Sequence, residues 1–541
     1  MKRIIKHTPY IVILFCTFII HGLLLLNDGI YWDDWLWVTA IKEKNWPEIR
    51  AVAFERGAPL DAYFTWFFSG FQNIEFAHRC VAFFSILLAA GLVYTISRQV
   101  GLLTRNESLW VALISMAYPA FQTQILLSTT NYLFYYLLFL GGVFLALKSQ
   151  SRNNISRFGL HIGSLLFFFL SFTLSSLLVF YFGFLLLLMW FELQEKTLSV
   201  REIVARFLSG HVDYLLLPFL FWVVKQVFFP VYGRYNTYNH FTFSAKDMLT
   251  NLLSFLNNGI FQYFYFYAPL RVFFTQWGLL LVGLLSILWM IKYTKNSKIS
   301  YGLLGYSVIL LSLGIFPYIV VGKYLTPTGW DTRHGVLLAL PVALIIVAYL
   351  QLLFNSPLKW PSIIKKIILS SLFVSFCFAT VSTYIDLQAR WVKDRSLMLN
   401  LGKLDGAENY SVYWIDDQFP LNGERVYSYY EWSSIFEQIW GDETRNGLDL
   451  ESYYTADMLA DGSFVHAFTK RYNIGEFDPA GCQATLMIRQ GPLSLSKIDL
   501  VAHYFYYKFL RPEKLHNLLI GTTEVQVQAL SSPLATNCMR N

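Results

Sequence analysis

From Pro9 to Leu25 the chain runs seventeen residues with hardly a polar side chain, and similar runs recur through its first 384 residues. A helix needs about 20 apolar residues to cross the hydrocarbon of a bilayer. In lipid every backbone N–H and C=O must be satisfied within its own segment or barrel, so apolar runs of this length are helices. Composition agrees. Of the 541 residues 55% are hydrophobic and only 14% are charged, against about 25% charged in soluble domains. The sequence thus predicts an all-α polytopic membrane domain.

Eleven spans are predicted, at 9–26, 78–97, 108–126, 129–147, 159–174, 177–191, 212–229, 273–292, 302–321, 334–354 and 363–384. The first run has a basic start like a signal peptide. No small-x-small cleavage site follows it, so it reads as a retained span. The stretch 159–191 reads as two helices turning at Ser175-Ser176. Lysine and arginine support that split. With the N-terminus inside, every cytoplasmic segment holds at least two of them, including Lys292, Lys295 and Lys298 after the eighth span, and the tight outer hairpins hold none. The net charge of +7 follows largely from this asymmetry, and no basic run suited to nucleic acid is present. Segment 192–210 reads as an amphipathic helix on the inner surface.

Three outer segments are sizeable: 27–77, 230–272 and 322–335. Beyond residue 384 the composition turns polar, with strand-like runs such as "YSVYWID", "ATLMIRQ" and "TEVQVQAL". Residues 385–541 are long enough to bury a core of their own and read as an extracytoplasmic α/β domain. Cys482 and Cys538 lie in it, either as a disulfide or as two free thiols.

The first outer segment opens with "LNDGIYWDDWLWVTA", where Asp33 and Asp34 stand among Trp32, Trp35 and Trp37. A charge at the bilayer centre costs roughly 2.5–3.5 kcal/mol on insertion scales, so the pair lies at the membrane surface or inside a polar cavity; seven and eight residues past Leu26, it is expected near the outer headgroup layer. Indoles favour that layer and would hold the carboxylates in partly desolvated surroundings. A plain solvated loop is the bland alternative. The chemical reading is transfer of a sugar from a lipid phosphate whose reactive carbon lies at headgroup depth. A carboxylate can take the acceptor's proton if burial raises its pKa. The departing phosphate needs a cation rather than a proton. Adjacent acids in a turn point to different sides, so one acts as base and the other orients or ligates a metal.

Candidate cations for the donor phosphate are Arg333 and His334 in "GWDTRHGVLLALP", with Lys323, and Arg234 in the second outer segment. Arg333 can grip a phosphate through two parallel hydrogen bonds. Asp331, Arg56 and His240 are further candidates, though arginines at span ends commonly serve only as snorkelling anchors. The cofactor is left open. Asp33 or Asp34 could ligate a divalent cation such as Mg or Mn.

The acidic pair after the first span, the long first outer loop, the "DTRHGVLLALP" entry to a late span and an extracytoplasmic C-terminal domain together resemble the GT-C superfamily of integral-membrane glycosyltransferases. The resemblance covers residues 1–384 in topology and only short stretches in sequence. It implies a GT-C-like domain over 1–384, with Asp33 and Asp34 in the two acidic positions of the first loop and Arg333 as the phosphate-binding arginine. The second acid is Asp where the family commonly has Glu, and His334 stands where Tyr is frequent. Among branches, the chain is similar to the protein-mannosyltransferase, lipid A aminoarabinose-transferase and O-antigen glucosyltransferase types.

The resemblance implies an inverting hexosyltransferase of the bacterial inner membrane, N-terminus cytoplasmic and C-terminal domain periplasmic. Its donor would be a polyprenyl-phosphate sugar and its acceptor a cell-surface glycan or a lipid-linked molecule. A transporter or flippase, and a polymerase or ligase of lipid-linked saccharides, are the competing readings. Asp33 and Arg333 are expected to border one cavity together with the 230–272 loop.

Overall fold

A computed structural model describes residues 2–150, 154–193, 199–236, 241, 244–266, 298–354, 359–420, 427–441, 444–449 and 482–529. Among the described residues nineteen helices follow one another in chain order. Helix α1 is Lys2–Leu26. Three short helices follow: α2 (Asp34–Lys42), α3 (Trp46–Glu55) and α4 (Pro59–Phe68). The bundle continues with α5 (Ile74–Val100), α6 (Arg105–Ala117), α7 (Thr130–Ser149), α8 (Asn154–Ser171), α9 (Ser176–Leu193), α10 (Val200–Gly210) and α11 (Val212–Phe228). Short helices α12 (Ala245–Leu256) and α13 (Gln262–Phe266) precede α14 (Lys298–Ile319), α15 (Ala339–Leu353) and α16 (Lys359–Leu401). In the C-terminal region lie α17 (Tyr429–Trp440), α18 (Lys497–Leu510) and α19 (Pro512–Thr522).

Among the described residues, six helical segments are long and apolar enough to cross a membrane: His7–Leu26, Ile74–Val100, Leu127–Ser149, Ser176–Leu193, Tyr301–Ile319 and Pro361–Leu401. A seventh is counted if α10 and α11, bent by 56° at their junction, form one span. The protein is therefore a membrane-embedded helical bundle, with fewer full-length spans among the described residues than the eleven expected. The run expected at 108–126 is helical only through Ala117. Tyr118 precedes Pro119 and sits in extended backbone (φ −65°, ψ 121°), because the proline ring disfavours helix in the residue before it. The chain then passes through two 3-10 turns, Gln122–Ile125 and Leu127–Thr129, before α7 begins. The last turns of the expected 334–354 span are α15, and its start is the 3-10 turn Trp330–Gly335. Residues 273–292 lie outside the described residues. The hairpin between α8 and α9 falls at 172–175, and Phe168 meets Tyr181 and Phe184 at ring-centroid distances of 4.8 and 4.7 Å.

Helix α16 is 43 residues long, about 65 Å at 1.5 Å per residue. It carries through the expected boundary at 384 and into the C-terminal region. There a four-stranded sheet forms in the order β2-β1-β3-β4, from β1 (Val412–Asp417), β2 (Asn446–Asp449), β3 (Gln483–Gln490) and β4 (Thr523–Ala529). β1 runs parallel to β2 and β3, and β3 runs antiparallel to β4. Alternation along β3 buries Ala484, Leu486 and Ile488, as one-sided burial of a period-2 strand requires. Cys482, at the start of β3, is disulfide-bonded to a partner outside the described residues, whereas Cys16, Cys80 and Cys377 are free thiols.

A buried polar network fastens α16 to the sheet and to α17. Lys393 ion-pairs with Asp417 of β1 and lies 3.7 Å from Asp394. Tyr427 donates to Asp394 and accepts from Arg390 Nε at 3.0 Å. Arg390 also reaches Glu431 of α17 at 3.3 Å. Lys393, Asp394 and Glu431 are fully buried. Removing one partner of a buried ion pair leaves an uncompensated charge and destabilises by about 3–5 kcal/mol. Lys393→Met should therefore lower the unfolding temperature in detergent by many degrees. A shift of a degree or less would mean that water reaches these carboxylates.

Candidate functional site

The turn between α1 and α2 contains the acidic pair, and each of its polar groups has a partner on a different element. Arg79 of α5, itself buried, donates to the carbonyls of Asn27 (2.5 Å) and Gly29. Asn27 closes the turn on itself through Gly29 N and Tyr31 Oη. A Cβ at Gly29 would stand 2.1 Å from Tyr31 Oη and 2.9 Å from Trp391 Cβ, so only glycine fits. Trp32 has φ +52°, a left-handed conformation uncommon for a bulky residue. It is held there from the C-terminal region: Trp32 N donates to Glu431 Oε1 at 3.1 Å, and the Arg390 guanidinium lies 5.4 Å from its ring.

This turn sends its three carboxylates in three directions. Asp28 accepts from Tyr504 Oη (2.7 Å) and Lys508 Nζ (2.9 Å) of α18 and from Gln388 Nε2 (3.3 Å) of α16. Burial works to raise its pKa, but the Lys508 charge and these hydrogen bonds prevail and hold it below the usual carboxylate value. Asp34 is completely buried and accepts from the backbone N–H of Leu127 (3.0 Å) and Ser128 (2.8 Å). It pins the start of the second 3-10 turn. Burial nevertheless pushes its pKa up to about 6, against the lowering effect of those two N–H donors and of Arg79.

Asp33 is half-buried and accepts from Tyr430 Oη of α17 at 2.7 Å. It borders a cavity of about 140 Å³ together with Trp37, Glu48, Arg56, Tyr235 and Ser434. Arg56, rather than Arg333, shares this cavity with Asp33. Arg56 ion-pairs with Asp61, which also accepts from Asn131 Nδ2 (3.0 Å) and Tyr135 Oη (2.8 Å) of α7. Desolvation opposes its charge, but Asp61, Tyr132 and Tyr235 outweigh this and hold Arg56 firmly protonated. The chain just after α11 reaches the same place. Tyr232 N donates to Glu55 O at 3.0 Å. At Gly233 φ is +58°, a left-handed conformation that favours glycine. Arg234 lies in this Gly233–Tyr235 turn. His240 lies outside the described residues.

The third segment forms the turn Trp330–Gly335. Arg333 is buried, lies 4.4 Å from the Trp330 ring and ion-pairs with Asp331 at 3.3 Å. His334 is buried, with Nδ1 2.8 Å from Tyr324 O and its ring 5.1 Å from Tyr318. Burial, with Arg333 and then Lys323 nearby, lowers its pKa to about 3, so a neutral ring stands at this position. Lys323 is half-buried, and its backbone N donates to Tyr318 O at 2.9 Å. Gly335 packs on Ala120, and Gln122 Nε2 donates to Pro327 O at 3.0 Å. Arg333 and the acidic turn thus meet the same 120–129 linker at one end of the bundle. Tyr132 lies within electrostatic reach of Arg56 and of Tyr318, and Tyr318 within reach of Arg333.

Sequence reasoning passed over Asp61, Tyr430 and Glu431. Asp61 had a local signal, since it follows Pro59 at the first turn of α4. Tyr430 and Glu431 are about 400 residues from their partners, and only the Ser428–Glu431 capping box marked the helix that carries them. Among the described residues no group of three or more His, Cys, Asp or Glu is placed to hold a metal ion. The chain matches no protein-family model and no curated protein.

In Asp34→Asn, an amide has one acceptor for two facing N–H groups, so one is left unsatisfied, which costs about 1–3 kcal/mol. The raised pKa sets the pH dependence. Stability from the protonated form is fully present below 3.8 and is lost as pH rises to about 6. The melting-temperature advantage of wild type over Asp34→Asn should therefore narrow between pH 4.5 and pH 7. An advantage that widens over this range would show that the carboxylate form is the one preferred.

Proposed function

We propose that this chain is an inverting glycosyltransferase that moves a sugar from a polyprenyl-phosphate donor to a surface glycan or lipid-linked acceptor. Its working face is the outer side of a bacterial inner membrane, reached by a bundle of about eleven spans. The observation that carries the reading is the shared cavity of Asp33 and Arg56 at one end of an apolar helix bundle. The GT-C resemblance of the acidic turn supports it. The disulfide at Cys482 fits an oxidising compartment for that end.

Asp33 takes the proton of the acceptor hydroxyl as that oxygen bonds to the anomeric carbon. The bond from that carbon to the phosphate oxygen breaks, and the lipid phosphate departs as an anion. Arg56 receives it. A guanidinium offers five N–H donors, and Asp61 fixes the orientation of the fork from one side. Arg333 stands further along the same end as a second cation for the headgroup, and His334, being neutral, adds a hydrogen bond rather than charge. A cavity of about 140 Å³ suits the reacting groups and leaves the isoprenoid tail in the bilayer.

A transporter gathers its polar site near mid-depth, whereas the charged groups named above collect at helix ends. A polymerase or ligase would use the same base and cation on a larger donor. Purified protein in lipid nanodiscs, given polyprenyl-phosphate hexoses and longer lipid-linked saccharides, should release the lipid phosphate from the hexose donors. General-base catalysis contributes about 10²–10⁴-fold, so Asp33→Asn should lose that much turnover with its melting temperature unchanged. Arg56→Gln should raise the donor concentration needed for half-maximal rate. Full turnover by Asp33→Asn would remove the residue as base. Release only from oligosaccharide donors would favour the polymerase or ligase reading.

A further inference from the structure

Among the described residues, nothing covers one apolar face of helix α18. Ile498 is 66% exposed, Phe509 56% and Leu510 70%, with Tyr506 beside them. At 100° per residue Ile498, Ala502 and Phe509 form one exposed stripe, with Tyr506 and then Leu510 to one side of it and the half-buried Phe505, which packs toward α16, at its other edge. The opposite face, Leu500, Val501 and Tyr504, packs on Ala389 and Val392 of α16.

Two ion pairs fix the height of this helix. Near one end Lys497 Nζ bonds Asp386 of α16 at 2.7 Å, and near the other Lys508 Nζ bonds Asp28 at 2.9 Å. Asp28 is two residues past the end of α1. Asp386 follows the apolar part of α16 by two residues, and Gln388, two residues further on, bonds Asp28 at 3.3 Å, so the two anchoring carboxylates lie within about one turn of each other along α16. The two lysines are eleven residues apart, about 16 Å along the helix. Both ends of α18 therefore sit at the depth where the two apolar helices stop, so the helix lies across the bundle and not along it. Below it, α1 exposes Phe15, Phe18, Ile19 and Leu26 on its outer surface. The exposed side of α18 carries Tyr506 beside its apolar residues, and Lys497 and Lys508 stand at its ends, residue types that settle at a membrane interface.

We propose that α18 is an interfacial anchor: its Ile498–Phe509–Leu510 face inserts into the headgroup and upper-chain layer of the bilayer, holding the C-terminal region against the membrane. This inference does not depend on the glycosyl-transfer reading. The Tyr430 and Glu431 contacts to the acidic turn then tie a membrane-anchored region to Asp33.

The test uses the full chain with Cys16, Cys80 and Cys377 replaced by alanine and the disulfide retained. An environment-sensitive fluorophore is attached to Ile498→Cys, to Leu510→Cys and, as an aqueous control, to Glu524→Cys on β4, whose side chain is exposed. In phosphatidylcholine nanodiscs carrying chain-brominated lipid, the two α18 labels should be quenched several-fold more than the control and protected several-fold from iodide. Iodide quenching equal to the control, with no response to brominated lipid, would overturn the proposal. Protection from both quenchers, with disulfide cross-linking between two chains at position 510, would overturn it in favour of a second copy covering this face.

Discussion

The constraint on which the loop end of this protein depends is the hydrogen-bonding of seven residues, Asn27 to Asp33. They leave an apolar helix and must reverse direction at the edge of the bilayer, where unsatisfied backbone groups are costly. Arg79 holds the carbonyls of the turn from within the bundle, and Glu431 holds the Trp32 N–H from the C-terminal region. Between these clamps Trp32 is kept in a left-handed conformation. The turn bent at this residue separates the two adjacent acids. One is turned inward onto the N–H groups of Leu127 and Ser128, and the other outward to a cavity and Tyr430. Strain of this kind persists only where surrounding contacts over-determine it, and here four elements do so.

The same clamps explain why the C-terminal region is more than an appendage. Helix α16 is a continuous rod from the apolar bundle into the mixed sheet. Its polar last turns carry Arg390 and Lys393, whose charges are matched by Asp417, Glu431 and Asp394 without water-exposed atoms to speak of. Buried pairs of this type add little net stability over apolar packing, but breaking one is expensive. They fix one relative placement of α16, α17 and the acidic turn. Local packing of α18 and α19 on α16 completes the attachment.

Much of the architecture was legible in the sequence because hydropathy runs and helix stops are local. Apolar runs marked α1, α5, α7, α9, α14 and α16, and period-2 alternation marked β1, β3 and β4. Pro119, overlooked, shortened α6 to 13 residues. The position of Asp33 and Asp34 at a span end was legible for the same reason. What each acid does was not. The two differ only through partners far away in the chain: residues 127–128 for one, residue 430 for the other. Arg333 looked the better partner for Asp33 because its surroundings in sequence are more polar. Arg56 shares the cavity because Pro59 starts α4 and brings Asp61 back to its guanidinium, a tertiary arrangement that no spacing rule encodes.

Asp34 is occupied by two backbone donors, while Glu43, Glu48 and Glu437 line the cavity together with Asp33. If Asp33 acts only as base and none of these glutamates attacks the sugar, displacement is single. The direct measurement is the anomeric configuration of the product made from a donor of known configuration, read from its proton–proton coupling by NMR. Inversion is expected at every turnover. Retention would require a covalent glycosyl–enzyme step and would contradict the division of roles set by the turn at Trp32.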